Sequence, residues 1–391
     1  MDCNTVCIGD VSSYRKATVR PISGTTYYCY SLPAFDNNRT PEKLDGADIL
    51  SNKLHVEPGD ILVNKLNMRF KRVWPLGALE PNSVCSTEFV PLVPGDKIDG
   101  RYLSYVLISD RFTNQLAGMR TGTSGSHQRV KPEWILEYSF PLPDMDTQRK
   151  IGSVLGSIDQ KIELNNRLNG YLAGIATAIF NRWLQDASDD YASIAQIASL
   201  NPETYSPTKE KWPIVQYLDT GGITRGAIDG YQSIRVDLEK LPSRARRKIQ
   251  PGDIIYSTVR PNQEHYGIVL DPDDNVLVST GFTVVRSTDE RVCPEMLYLF
   301  LTQAKLTKAL QQIAEQSVST YPSIKAEDIG ALKMPLPTQE EADWLKETLR
   351  TPFEMMETSR QENLKLAALR NALLPKLISG EIDVSGVLPS E

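Results

Sequence analysis

Histidine is scarce, positive charge is not in excess, and no long apolar run occurs. Only His55, His127 and His265 are present among 391 residues. None has carboxylate or cysteine neighbours at ligand spacing, so no histidine-built metal or acid–base centre is read. The five cysteines are odd in number and unevenly spaced, which suits a reducing cytosol better than a disulfide framework. Cys3 and Cys7 lack a second pair to complete a metal site. The stretch "YLAGIATAIF" is far shorter than the ~20 apolar residues of a membrane span. The opening "MDCNTVCIGDVSSYRK" has no apolar core, so no secretory signal is read there. No phosphate-cradling loop ending in Lys-Ser/Thr occurs, and "GMRTGTSGS" lacks the spacing of a dinucleotide site; it reads as an exposed loop. Pro143-Asp144 with Asp159-Gln160-Lys161 fits a loose nuclease pattern. Helix between the two aspartates would hold them about 22 Å apart, too far to share one ion. Neither a catalytic nor a metal centre is expected.

What is present is ordinary in bulk and unusual in arrangement. With 40% hydrophobic and 24% charged residues, the chain reads as soluble and long enough for two or more cores. The formal charge of −6 weighs against a uniformly basic nucleic-acid binder, but local clusters decide that question. Two such clusters occur, "KLNMRFKRVW" (Lys65–Trp74) and "SRARRKIQ" (Ser243–Gln250).

Both clusters adjoin a phrase that is written twice. "EPGDILVNK" from Glu57 returns as "QPGDIIYST" from Gln250, at an offset of 193. "STEFVPLV" matches "STGFTVVR" at 193, and "RYLSYVLISDRFTNQL" matches "EMLYLFLTQAKLTKAL" at 194. "VKPEWILEYSFPLP" matches "IKAEDIGALKMPLP" at 194, while "VCIGDV" faces "ASIAQI" at 186. Conserved order with small drift indicates a tandem duplication. Each copy opens with short β-type runs broken by Gly, Pro, Asn and Asp, plus one short amphipathic helix around "MLYLFLTQAKLTKAL". Each then closes on "PLP" and enters a long helical pattern. The boundaries read as 1–144, a first globular domain; 145–186, a central helix; 187–337, a second domain; and 338–391, a second helix with its tail.

The central helix is expected from about Thr147 to Leu184. Its apolar seam is Ile151, Leu155, Ile158, Ile162, Asn165, Leu168, Leu172, Ile175 and Ile179, a step near the 3.5 residues of a coiled coil. Asn165 interrupts that seam and would fix register and partner. The second helix is expected from about Thr338 to just before Gly380, with a face of Leu345, Leu349, Phe353, Met356, Leu366, Leu369, Leu373 and Leu377. Pro352 is expected to kink or restart it. The fold class that follows is α+β: two similar globular domains joined by two long helices packed as an antiparallel coiled coil, with an internal pseudo-two-fold repeat.

The ordered set of phrases, with "FPLPDMDTQRKIGSVLGSIDQKIELNNRLN" (Phe140–Asn169) and "LAALRNALLPKLISGEI" (Leu366–Ile382), resembles a type I restriction-modification specificity subunit over nearly the whole chain. The resemblance implies two target recognition domains and a non-catalytic role. Each domain would read one half of a bipartite target on double-stranded DNA, and the helix pair would set the spacing and dock modification (methyltransferase) subunits, two in number. Restriction/translocase subunits would join through the complex. S-adenosylmethionine, ATP and Mg would belong to those partners, the assembled complex being a DNA adenine methyltransferase and restriction endonuclease. No membrane is implied, and the location is cytoplasmic. A coiled-coil protein-binding scaffold, or the specificity chain of another restriction class, stays open at this point.

Two places in each domain are candidates for DNA contact. One holds Lys65, Arg69, Lys71 and Arg72, against Arg244, Arg246, Arg247 and Lys248 with Arg260, Asn262 and Gln263. The other holds Arg120, Thr121, Ser124, Ser126, His127, Gln128 and Arg129, against Ser317, Ser319, Thr320 and Tyr321. Cations would serve phosphates and guanines, amides would serve adenines, and hydroxyls the backbone.

Overall fold

The computed structural model describes residues 4–37, 39–119, 129–228, 230–316 and 322–387. It divides into two compact units, Met1–Glu163 with Asn363–Glu391, and Leu164–Glu362.

In the first unit, strand Asn4–Cys7 pairs antiparallel with Ser139–Leu142, so the globular part closes on itself where the central helix leaves it. One helical turn, Ile8–Val11, leads into an antiparallel sheet ordered Ser12–Tyr14, Phe89–Pro94, Ile61–Asn64, Val73–Pro75. A second sheet is ordered Thr18–Val19, Lys53–His55, Ser83–Cys85, Thr26–Tyr30, Glu42–Asp45. Its one parallel pair joins Thr26–Tyr30 to Ser83–Cys85. Helices Gly100–Ile108 and Asp110–Gly118 pack their Tyr102, Leu103, Phe112 and Leu116 into the core with Ile61, Val63 and Leu92.

The second unit repeats this plan. Tyr191–Ser193 pairs with Lys333–Pro335, and the turn Ile194–Ile197 follows. The first sheet is ordered Ala198–Leu200, Phe282–Ser287, Ile254–Ser257, Tyr266–Ile268. The second is ordered Gln232–Arg235, Ile214–Leu218, Val276–Ser279, Ala245–Lys248, and again holds one parallel pair, Ile214–Leu218 with Val276–Ser279. The duplicated phrases therefore occupy corresponding strands. Where one amphipathic helix is expected, two occur, Pro294–Leu301 and Ala304–Glu315. The break falls at Thr302, whose hydroxyl turns back to the Tyr298 carbonyl at 2.8 Å, and at Gln303, whose carbonyl starts the second helix.

The repeated Pro-Gly-Asp phrase is a built turn with a buried charge. Gly59 and Gly252 sit at φ +89° and +87°, where a side chain would be strained. The aspartate that follows is buried in each case, Asp60 at 1% and Asp253 at 0% exposure. Each carboxylate accepts the backbone N–H three residues back, from Glu57 at 2.8 Å and from Gln250 at 2.9 Å. Each also accepts from an arginine, Arg15 Nε at 2.7 Å or Arg286 Nε and Nη2 at 2.8 Å. The two arginines come from different, neighbouring strands of the equivalent sheet. Arg15 follows Ser12–Tyr14, whereas Arg286 lies on Phe282–Ser287.

Arg286 also donates to Glu203 at 2.6 Å, and that bond holds the Glu203 carboxyl below the ordinary carboxylate range. A depressed folded pKa contributes stability above the unfolded value, about 4.3, and loses it as pH falls through the folded value. Glu203→Gln is expected to give a shallower loss of stability below about pH 4.3 than the parent in a pH series of urea melts. An unchanged acid limb would argue against the pairing.

The long helices run Met145–Asp186 and Gln339–Ile378, about 60 Å each at 1.5 Å per residue. Asp144 caps the first through Thr147 N–H at 2.9 Å; Thr338 and Glu341 cap the second reciprocally. Within the first unit, Ile151 and Leu155 share a core with Leu374 and Leu377, and Asp159 accepts from both Tyr105 and Arg370 at 2.7 Å. Asp159, half of the apparent nuclease pattern, is thus a structural acceptor. Within the second unit, Ala176, Phe180 and Trp183 share a core with Leu345, Leu349 and Phe353. There Asn165 donates to Glu362 at 2.7 Å and Asn169 to the Met356 carbonyl at 3.4 Å. In each unit the partners' numbers rise on one helix as they fall on the other, so the helices are antiparallel.

Two expectations need correction. Pro352 does not restart its helix, which is continuous from Gln339 to Ile378, and the proline is buried next to Phe353. Packing of Leu349 and Phe353 outweighs one missing N–H bond. On the central helix, Leu168 and Ile175 are exposed, while Asn169 and Ala176 face inward; Leu369 of the second helix is exposed as well. After Asn165 the inward positions advance by about 3.6 residues, the period of a straight α-helix, and not by 3.5. No described helix is long and apolar enough to cross a membrane.

Candidate nucleic-acid interface

The connection between strands Ile61–Asn64 and Val73–Pro75 presents the first basic cluster. Asn64 is buried and ties the connection's ends together: its Nδ2 donates to the Leu66 carbonyl at 2.8 Å, and its Oδ1 accepts from Arg72 N–H at 3.3 Å. Asn67 takes φ +55°, which asparagine tolerates better than most residues. The turn puts Arg69, Phe70 and Lys71 at the surface. Arg69 donates to Asn67 at 3.1 Å, and Lys71 pairs with Asp110 at 2.6 Å. Arg72 lies over the Phe70 ring at 4.8 Å and forks onto Asp36 with two 2.7 Å bonds.

This connection meets the second predicted place. Leu66 bridges Arg129, Val130 N–H donates to the Lys65 carbonyl at 2.9 Å, and Lys65 N–H donates to the Glu88 carbonyl. The Arg129 guanidinium pairs with Glu88 at 2.6 Å. Two segments more than fifty residues apart in sequence thus form one edge. Arg120, Thr121, Ser124, Ser126, His127 and Gln128, which lead into that edge, lie outside the described residues.

The second unit builds the same junction from different side chains. Buried Ser257 takes the place of Asn64, donating to the Val259 carbonyl at 3.1 Å. Val259 bridges Ser323, Arg260 N–H donates to Pro322 at 2.9 Å, and Ile324 N–H donates to Thr258 at 2.9 Å. Arg260 and Glu264 flank the short turn Pro261–Gln263 at φ +47° and +56°. Arg260, Asn262 and Gln263 are exposed. Ser317, Ser319, Thr320 and Tyr321 lie outside the described residues.

The cluster Arg244–Lys248 divides. The Arg244 carbonyl accepts from Thr280 N–H, and the adjoining Gly281 carbonyl accepts from Thr258, so Arg244 borders the junction. Arg246, Arg247 and Lys248 instead run along the edge of the second sheet against residues 203–212. Tyr205 N–H donates to the Arg246 carbonyl, Thr204 bridges Arg247, and Lys248 pairs with Glu210 and lies over the Trp212 ring. Burial lowers the Arg247 guanidinium pKa, and its Nε is enclosed without a hydrogen-bond partner. The segment equivalent to Lys65–Arg72 is therefore 258–265, which follows the repeated phrase, and not 243–250, which precedes it.

Sequence reasoning missed the acids. Asp36, Glu88 and Asp110 partner Arg72, Arg129 and Lys71 from separate elements, and nothing in local spacing announces them. Such exposed pairs are worth only about 0–1 kcal/mol. Among the described residues, no cluster of three or more His, Cys, Asp or Glu is placed to hold a metal ion. His55 contacts Glu57 at 3.2 Å and His265 contacts the Ile223 carbonyl at 2.6 Å.

Comparison with known proteins follows the same lines. Residues 3–172 match the type I restriction modification DNA specificity domain. The chain is 23% identical to the type I restriction enzyme HindI specificity subunit of Haemophilus influenzae, an alignment covering 89% of this chain and 96% of that one. It is 22% identical to the MjaIX specificity subunit of Methanocaldococcus jannaschii over 79% of this chain and 76% of that one. The fold resembles the crystal structure of the type I restriction-modification S subunit from M. genitalium, with a TM-score of 0.55, 14% identity and 96% of each chain covered.

Proposed function

We infer that this chain, a member of the type I restriction-modification specificity family, chooses the DNA sequence on which a multisubunit complex acts, each unit reading one half of a split target. The observation that carries this reading is the junction built twice. Loop 65–72 against Arg129, and loop 258–263 against Ser323, have the same backbone bridges and different exposed side chains. A shared frame with divergent side chains suits two half-sites of different sequence.

The role is non-catalytic. Methyl transfer and cleavage belong to modification and restriction partners, which bind S-adenosylmethionine, ATP and Mg. Two modification subunits dock on the long helices, whose length sets the spacer between half-sites. The complex works in the cytoplasm. A complex of this chain with its modification subunits should bind duplex DNA with an affinity that falls linearly in log–log salt titration. A complex that binds duplex no better with the chain than without it would favour a protein-binding scaffold.

A further inference from the structure

We propose that the cleft between the turn Pro261–Gln263 and helix Ala304–Glu315 reads base edges of one half-site in the major groove, through Lys308 and Gln312, with Gln311 positioning Asn262 beside them. This rests on the reading of the chain as a DNA sequence-selecting subunit.

The cleft has a volume of about 480 Å³ and is lined by Asn262, Glu264, Thr307, Lys308, Gln311 and Gln312, with Glu315 at its end. Lys308 and Gln312 are exposed and four residues apart, so they share a helix face. Gln311 is committed elsewhere: its Oε1 accepts Asn262 N–H at 3.2 Å and its Nε2 donates to Glu315 at 2.8 Å. It locks the turn to the helix and leaves the Asn262 amide exposed. A helix of this width fits the major groove. Glu264 is paired with Arg225 and Glu315 accepts from Gln311, so the groups the cleft has left to offer, the Asn262 and Gln312 amides and the Lys308 ammonium, suit base edges. There an amide pairs with adenine N6 and N7, an ammonium with guanine O6 and N7, and a carboxylate accepts from cytosine N4.

The duplication supplies an independent argument. At an offset of 194, Thr307 falls on Thr113 and Leu310 on Leu116, and all four are buried. Lys308, Gln311 and Gln312 fall on Asn114, Ala117 and Gly118. Positions that hold the helix to its unit are kept, and positions on the open face differ in chemistry. In the first unit the loop is likewise tied to the equivalent helix, there by Lys71 and Asp110. Loop and helix are therefore held together in each unit, while what the helix displays has changed.

The test uses the complete complex carrying Lys308→Ala, Gln312→Ala, Gln311→Ala or the pair Gln311→Glu with Glu315→Gln, with its methylated motif read by sequencing of a randomised duplex library. Lys308→Ala and Gln312→Ala should each relax one or two positions in a single half of the motif, with discrimination falling about tenfold. Gln311→Ala should relax the same half. Gln311→Glu made together with Glu315→Gln, which keeps the acceptor for Asn262 N–H and a donor–carboxylate pair with residue 315, should retain it. The untouched half reports that the complex is folded and active. An unchanged motif from active variants would overturn the cleft and leave the subunit's role standing, and relaxation of both halves together would overturn it too. Parent methylation that does not depend on this chain would remove the role itself, and the cleft with it.

Discussion

Asp253→Ala should destabilise the second unit by about 3–5 kcal/mol, the range for removing one partner of a buried ion pair. Asp253 is fully buried, and both its oxygens are used by Arg286 and by the Gln250 N–H. Truncation leaves the Gln250 amide with no acceptor and a largely enclosed guanidinium with Glu203 alone to accept from it, and that lost compensation is the main cost. Asp60→Ala should cost somewhat less in the first unit, because Asp60 accepts one bond from Arg15 where Asp253 accepts two from Arg286, while each arginine keeps a glutamate, Glu57 or Glu203. Replacing both Asp253 and Arg286 by apolar residues should recover a large part of the loss, since contacting residues are not additive. Urea denaturation with hydrogen exchange to locate the change is the measurement. A loss under about 1 kcal/mol for Asp253→Ala would show that the pair does not hold the turn.

The second large effect concerns DNA. Arg69→Glu with Lys71→Glu, in the complex with its modification subunits, should weaken duplex binding by tenfold or more near 0.1 M salt. The slope of log K against log salt should become shallower by about 0.9 for each phosphate no longer neutralised. Both side chains are exposed, and their present partners, Asn67 and Asp110, are surface groups, so the fold should survive. The half of the motif read by the first unit should relax as well, because Lys71→Glu unties the loop from helix Asp110–Gly118, while the half read by the second unit should be unchanged. Loss of stability without a change in salt slope would mean that these cations serve the fold alone.

Much of the architecture can be read from the phrases themselves. In the repeated phrase Pro-Gly-Asp turns at a left-handed glycine and buries its aspartate in each half, whereas Pro94-Gly95-Asp96, outside the phrase, does neither. The arginine that neutralises the aspartate is not legible. In the first half it is Arg15, and the second half has Asn201 at that position; in the second half it is Arg286, and the first has Val93. The partner has moved to the adjacent strand, and only three-dimensional proximity reveals it. The restart expected at Pro352 follows from local propensity, which packing overrides. Leu168 and Ile175 fit a 3.5-residue seam on paper, but the helix keeps its own period and turns Asn169 and Ala176 inward. Of the basic clusters, Lys65–Arg72 meets Arg129 as a single edge, because the strand after the repeated phrase leads there. "SRARRK" is partly absorbed into a sheet edge, which charge density alone could not show.

The central claim is that one recognition frame was copied and that each copy reads half of a target. It is tested most directly by mapping methylated bases across the genome of a host that carries the chain with its modification partners, before and after deletion of the chain. A two-part motif with a fixed spacer that disappears on deletion is the predicted result. Methylation that persists unchanged, or a vanished motif that is continuous and single, would contradict it.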